Sequence, residues 1–279
     1  MHWHVHDSPA GFIEATRSLV EHAALNQLPL GIAADALLHP SRFEDVRMFT
    51  VSGGDGGCLG ALVHTPPRPV LLSEMAPDTA VFAARQLVAR YPDLAGVNGP
   101  SDAAHALAGC AVALTGGRGP TVVSRMAVWV LHEVAPVPIP AGFARVATPV
   151  DAPRIQAWVT AFRDEAVPAD PPPTPLAGNR YGSSGRAWLW EVDGQAVAFA
   201  NFPREVGGYW SVGPVYTPPD QRGRGYATAL VAHMSSHALA QGHRGCTLFT
   251  DLSNPTSNAI YARIGYRREA NFTRLQWAG

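Results

Sequence analysis

Apolar and polar residues follow two rhythms along this chain, one of period two and one near 3.6, with glycine and proline separating the runs. The first helical rhythm covers about residues 10–38, where Phe12, Ile13, Leu19 and Val20 form a broken stripe. Two β-rich runs follow, VRMFTVSGG and CLGALVHT, joined by a glycine-rich turn over residues 53–57, which is a hairpin signal. RPVLLSEM predicts a third short strand, and residues 78–90 a helix. AGVNGP reads as a short strand ending in Asn-Gly-Pro turn chemistry. Residues 101–114 predict a helix with Ser101 as N-cap and Gly116 at its end. TVVSRMAVWVLHEV closes this half as a long strand.

The proline-rich APVPIPAG, residues 135–142, marks a boundary, so the predicted domains are 1–140 and 141–279. The second half opens with a strand, a turn and a helix in FARVATPVDAPRIQAWVTAFRDEAV. A loop with many prolines spans residues 168–178 and excludes helix interior. RAWLWEVDGQAVAFANF predicts a hairpin turning at Asp193-Gly194. GYWSVGPVYT is another strand, residues 225–241 a helix ended by Gly242, CTLFTD a strand, and residues 255–264 a short helix. YRREANFTRLQWA closes the chain with β character. Each half thus runs through three strands, a helix, a strand, a helix and a closing strand, an internal structural repeat. The fold class predicted is α+β, with each half a mixed, mostly antiparallel sheet flanked by helices.

Composition narrows the chemistry. The 279 residues are 47% hydrophobic and 15% charged with a formal net charge of -1, which excludes wholesale disorder and a general nucleic-acid binder. No apolar run has transmembrane length, and MHWHVHDSPAG lacks a signal core, so the expectation is a cytoplasmic protein without membrane segments. All 21 basic residues are arginine, which removes lysine nucleophiles and Schiff bases. Cys58, Cys110 and Cys246 have no metal-ligand spacing and read as small buried hydrophobes. His2, His4 and His6 alternate, but a frayed terminus without acidic or cysteine partners predicts no metal site.

One stretch carries the chemistry: QRGRGYATAL, residues 221–230. A P-loop needs a lysine that this chain lacks. A dinucleotide fingerprint needs a third glycine where Thr228 stands, and Pro214 sits poorly in the buried parallel strand it requires. The remaining pattern is Arg-x-x-Gly-x-Ala, met by Arg222, Gly223, Arg224, Gly225, Tyr226 and Ala227. Here the chain resembles the GNAT acyltransferase superfamily, in which this loop cradles the pyrophosphate of acetyl-CoA. The physical basis is visible: two glycines free the backbone N–H groups, the next helix adds its positive end, and two arginines add charge.

The resemblance covers about residues 143–279 and is specific over 209–266. It implies that the fourth and fifth strands splay at Pro214, with Val215 and Tyr216 offering backbone groups to the pantetheine arm. It implies a cofactor-binding set of Val215, Tyr216, Arg222, Gly223, Arg224, Gly225, Tyr226, Ala227, Thr228, Asn254 and Asn258, and Tyr261 as the proton donor to the leaving thiolate. Asn254, Asn258 and Tyr261 share one helix face by spacing, opposite Ile260 and Ile264. The general base is less clear from the residues, because GYWSVGPVY offers only Ser211 and Tyr209 where some relatives carry glutamate. Asp251 at a strand end and Glu165 on the first helix are the candidates, while Glu205 falls in a hairpin loop and Glu191 faces solvent. The implied activity is transfer of an acetyl group from acetyl-CoA to an unidentified amine, with a non-catalytic acyl-CoA-binding protein as the alternative. The first half lacks the phosphate loop, since LLSEMAPDTAVFAARQL contains no glycine, and reads as a degenerate copy without a CoA motif.

Overall fold

A computed structural model describes residues 1–91, 94, 96–117 and 119–277, and contacts divide the chain into two compact units. The first unit contains Met1–Val128, Thr250–Pro255 and the segment from Arg268 onward. The second contains Trp129–Phe249 and Thr256–Arg267. In chain order the first ten elements are β1 (His2–His6), α1 (Pro9–Ala15), α2 (Gln27–Leu38), β2 (Arg47–Ser52), β3 (Cys58–His64), β4 (Val70–Leu72), α3 (Pro77–Arg90), β5 (Gly96–Pro100), α4 (Ser101–Thr115) and β6 (Thr121–Leu131). Next come β7 (Phe143–Val146), α5 (Ala152–Ala166), α6 (Ala177–Gly182), β8 (Ala187–Val192), β9 (Gln195–Asn201), β10 (Arg204–Val206), β11 (Tyr209–Val212) and β12 (Val215–Tyr216). The chain finishes with α7 (Tyr226–Ala240), β13 (Gly245–Asp251), α8 (Pro255–Ile264) and β14 (Arg267–Gln276).

Both units are α+β and mostly antiparallel, as the alternation of strand and helix patterns predicts. In the first, the strands run β1-β2-β3-β4-β5-β14-β6; β4 and β5 are parallel, whereas β1-β2, β2-β3, β3-β4 and β5-β14 are antiparallel. The chain's last strand is therefore built into the first unit, where Thr273 lies opposite Gly99 and Leu275 opposite Val97. The core of this unit is alanine-rich where α3 and α4 pack, with Phe49, Leu72, Leu87 and Leu107 fully buried. In the second unit, β12-β9-β8-β7 form one sheet, while β11 pairs with β10 and, in parallel, with β13. Helix α7 packs on Trp188, Trp190, Val212 and Leu248, and α5 covers the opposite sheet face through Ile155, Leu189 and Phe199.

Several local expectations need correction. The single helix predicted near residues 10–38 is interrupted: a 3-10 turn over Arg17–His22 separates α1 from α2, and Asn26 Nδ2 donates to Leu19 O across the break. The N-terminus is strand β1, not a frayed end, because His4 and His6 bond Ser52 Oγ and Thr50 Oγ1 on β2 at 2.9 Å each. Ser101 does not cap α4; Pro100 holds that position and the Ser101 hydroxyl pairs with Thr273 Oγ1 instead. After the loop with many prolines, α6 was not predicted; it is only six residues long. Glu205 lies on strand β10, where its carboxylate accepts from the Gly208 N–H.

Glu191 is also misplaced by the sequence reading, since it is half-buried and ion-paired with Arg145 rather than turned to solvent. Arg145 on β7 binds Asp151 through two 2.8 Å bonds as well. Asp151 in turn accepts from Thr148 N at 2.8 Å and Thr148 Oγ1 at 3.0 Å, closing the box that starts the 3-10 turn Pro149–Asp151 leading into α5. The Arg145 bond, with help from Thr148, lowers the Asp151 carboxyl to about 2. A depressed carboxyl contributes stability that is full above its ordinary value and is lost as pH falls through the folded one. Asp151→Asn should therefore cost about 1–3 kcal/mol near neutrality and remove part of the stability loss between about pH 4 and pH 2. Thermal melting of both proteins across that window checks this; an unchanged slope shows that the pair does not link folding to pH.

Candidate active site

Strands β9 and β10 face β12 and β11 as two lengths of one hairpin that turns at Gly207-Gly208. The register is common to both: Ala200 opposes Val215 and Arg204 opposes Ser211. Between them the strand is broken at Gly213-Pro214. Pro214 has no N–H to give a ladder, and Gly213 sits at φ 143° with its N–H bonded to Asn201 O at 2.8 Å. Where a single strand was expected, β11 therefore pairs with β13 only as far as Val212 opposite Leu248, and β12 turns to the other sheet. Beyond Leu248, β13 continues to Asp251 without β12 beside it. This is the splay expected at Pro214. Val215 is half-buried on the α7 side, and Tyr216 is buried with its ring 6.2 Å from that of Trp158 on α5.

The glycine–arginine loop follows. A short 3-10 turn, Pro219–Gln221, leads to Arg222 in extended conformation and then to Gly223 and Gly225 at φ 77° and 83°. Glycine adopts that backbone without strain, and among other residues Asn and Asp tolerate it best. A Cβ at either glycine would meet nothing within 4 Å, so the requirement is conformational and the space above the loop is open. Gly225 is the N-cap of α7, and no side chain caps it. The first N–H groups of α7, at Tyr226, Ala227 and Thr228, therefore have no helical carbonyl to bond and point at that open space. No acidic residue stands in the first turn, leaving the positive end of the helix unneutralised by its own side chains. Tyr226 and Thr228 are buried and anchor this end, while Ala227 is half-buried.

Glu165 belongs to this loop rather than to a separate acceptor groove. Its Oε2 pairs with Arg222 Nη2 at 2.6 Å, and its Oε1 accepts from Tyr216 Oη at 3.1 Å. Arg222 Nε also donates to Thr217 O at 2.9 Å. Burial, then the Glu165 bond and charge, raise the Tyr216 phenol above its ordinary value. Both Glu165 oxygens are thus engaged, which sets it apart from a free general base. Arg224 folds back on Asp220 O at 3.2 Å. Sequence spacing gave no sign of this cluster, because Glu165 lies 51 and 57 positions from its two partners.

On α8, Tyr261 and Ile264 are the buried residues and Asn258 is half-buried. Tyr261 is therefore not on the face opposite Ile264; both enter one core cluster with Val212, Leu230 and Leu248. Its ring meets Tyr266 edge-on at 5.9 Å, and burial alone raises its phenol to about 12. Gly265, at φ 110°, follows the helix. Asp251 and Asn254 belong to the first unit. The Asp251 Oδ1 accepts from Ser253 N at 2.7 Å and Ser253 Oγ at 2.6 Å, and its carbonyl accepts from Asn254 N. That is local strand-end bonding. Among the described residues, no group of three or more His, Cys, Asp or Glu is placed to hold a metal ion, and no helix is long and apolar enough to cross a membrane.

Residues 153–266 match the acetyltransferase (GNAT) family. No curated protein matches the chain. A GCN5-related N-acetyltransferase from Sphaerobacter thermophilus shares the fold with TM-score 0.64 at 17% identity, covering 98% of this chain and 95% of its own. A GNAT-family acetyltransferase from Colwellia psychrerythraea aligns over 100% of both chains with TM-score 0.61 and 14% identity. A tandem GNAT protein from the clavulanic acid biosynthesis pathway aligns over 100% of this chain and 99% of its own, with TM-score 0.55 and 13% identity. At these identities the structures establish a common fold.

The Tyr261 environment makes a direct prediction. Its ionisation should be absent from the ultraviolet difference spectrum of wild type minus Tyr261→Phe until the pH passes about 11, given a phenol at about 12. A phenolate signal below pH 10 would show that the ring is not buried as described. Because its hydroxyl bonds to none of the described residues, the same substitution should shift stability by less than about 1 kcal/mol.

Proposed function

From the GNAT family domain over residues 153–266, we propose that this protein transfers an acyl group, acetyl in the simplest case, from acyl-CoA to an amine. The observation that carries the reading is the loop at the start of α7: two left-handed glycines over open space, with helix N–H groups aimed into it. That arrangement suits a phosphate-bearing anion such as the CoA pyrophosphate. Gly223, Gly225, Tyr226, Ala227 and Thr228 hold it through backbone N–H groups. Arg222 and Arg224 add charge, and the edge of β12 at Val215 and Tyr216 receives the pantetheine amides. Asn258 on α8 extends this binding set.

The bound thioester supplies an activated acyl carbon. The amine nitrogen bonds to that carbon while the C–S bond breaks, and backbone N–H groups at the strand break near Val215 stabilise the developing charge. Tyr261 protonates the departing sulfur and then regains a proton from solvent; burial keeps it protonated between turnovers. The proton lost by the amine passes to solvent, since both Glu165 oxygens are engaged and Asp251 bonds Ser253. Glu165 acts as a positioning residue that orients Arg222 and Tyr216. The engagement of both carboxylates also favours the second reading, an acyl-CoA-binding protein without turnover.

Three measurements separate these readings. Acetyl-CoA should raise the melting temperature, since a ligand of the native state stabilises it. Gly225→Asp should abolish that rise, while Gly225→Asn, which tolerates the same backbone without the charge, should retain part of it; equal binding by all three proteins refutes the loop assignment. Tyr261→Phe should cut turnover in an amine panel by roughly 10²-fold with CoA affinity unchanged. An unchanged rate removes the proton-donor role, and CoA binding without turnover on any amine selects the binding protein. Glu165→Gln and Asp251→Asn should each keep turnover within about tenfold, because loss of a general base costs about 10²–10⁴-fold. A loss of that larger size in either variant restores that residue as the base.

A further inference from the structure

The far end of α7 bounds a cleft of about 130 Å³ in the second unit. A helix of 15 residues rises roughly 22 Å, so this cleft is separate from the loop at the N-terminus. Trp188, Phe202 and Trp210 supply its apolar walls, and His237, His243 and Arg186 complete the lining. The rings already pack against one another, two pairs tilted and one edge against face. Trp188 lies 5.0 Å from His237, Phe202 5.1 Å from Trp210, and Trp210 meets His243 edge-on at 77° with centroids 5.3 Å apart.

Its polar groups are unusual in having no partners. The Arg186 guanidinium lies 4.8 Å above the Trp210 ring and makes no hydrogen bond or ion pair among the described residues. The side chains of His237, His243 and Gln241 likewise bond none of the described residues. No lining residue is acidic. Glu205 is the cross-strand neighbour of Trp210, but its carboxylate accepts from Gly208 N at 2.7 Å. The negative end of α7 is here too, yet its last carbonyls accept from the N–H groups of Gln241, Gly242 and His243. The charge left to act on a ligand is therefore the cation of Arg186, beside imidazoles that can donate.

We propose that this cleft is a second ligand site, and that it takes a small planar aromatic carboxylate. The cleft suits a small ligand whose ring is held while one end reaches solvent: pockets for drug-sized compounds run to about 300–1,000 Å³, whereas a cavity near 150 Å³ holds benzene. Trp188, Phe202 and Trp210 stack or edge-pack the ring. Arg186, stacked on Trp210, directs its free edge donors to the carboxylate, and His237 or His243 adds a further donor. None of these residues takes part in the proposed acyl transfer, so the site stands or falls independently of it.

Benzoate is the probe. Indole N–H signals of the seven tryptophans are followed by NMR as benzoate is added to the intact protein. The expected result is saturable movement of the Trp188 and Trp210 signals, with those of Trp3, Trp158 and Trp277 still. Benzyl alcohol, which keeps the ring and loses the charge, should bind roughly tenfold more weakly, and acetate should not saturate. Arg186→Gln should weaken benzoate roughly tenfold without altering the response to benzyl alcohol. Absence of saturable shifts overturns the site. Equal affinity for benzoate and benzyl alcohol overturns the assignment to an anion, a comparison that needs no variant.

Discussion

Pro214 cannot donate a backbone hydrogen bond, and the second unit is organised around that fact. A strand that begins at Tyr209 beside β13 cannot continue its ladder through this position. The chain answers by pairing its second length, Val215–Tyr216, with β9 alone. The hairpin register survives across the interruption, but the break changes which sheet the strand serves and inverts the alternation of faces, since Val212 and Val215, three positions apart, both lie on the α7 side. Tyr216 takes the α5 side. The interruption opens one side of β12 next to the loop that starts α7. Backbone groups needed by a ligand and backbone groups needed by a sheet are thus separated within four residues.

Much of this was readable from the sequence. The hairpin at Asp193-Gly194 has the positive φ values that its residue types demand, at 47° and 74°. Gly223 and Gly225 were readable because a left-handed backbone admits few other residues. The repeated order of elements followed from the two periodicities, which depend on local burial. What was lost depends on long-range partners. The closing strand has β character wherever it goes, and nothing in RREANFTRLQ says that it pairs with β5 in the first unit. Glu191 looked solvated because a carboxylate on a strand usually is, and Glu165 was a candidate base; each instead found an arginine far away in the chain. Tyr261 was assigned to the helix's polar face by spacing with Asn258, but an aromatic ring follows burial, and it joined Ile264 in the core.

The first unit shows what the same order of elements does without the loop. Its β4 runs to α3 through Ser73-Glu74-Met75-Ala76. Ser73 Oγ accepts from Ala61 N, Glu74 N donates to Asn26 Oδ1, and Met75 lies against Gly60, where a Cβ would come within 2.8 Å of its Cε. Local side chains thus occupy the turn that in the second unit is glycine and open space. Glu74 also adds a carboxylate, paired with His22, at the approach to α3. A helix N-terminus is equally positive in both units; filling and negative charge make the first unfit for an anion.

The absence of lysine shapes the second unit's loop as well. A lysine at position 222 would be a single mobile charge, and an ion pair with Glu165 would compete directly with a phosphate for it. Arginine has five N–H donors in a fixed plane. Arg222 gives Nε to Thr217 O and one Nη2 donor to Glu165, which leaves further donors on the same guanidinium. The ion pair can therefore hold the plane in place while a phosphate uses its remaining edge. On the proposed reading, Glu165 does not neutralise the phosphate site so much as fix its geometry, at the cost of part of its field. That trade is favourable where the helix end and loop N–H groups already supply most of the attraction, and this loop has both.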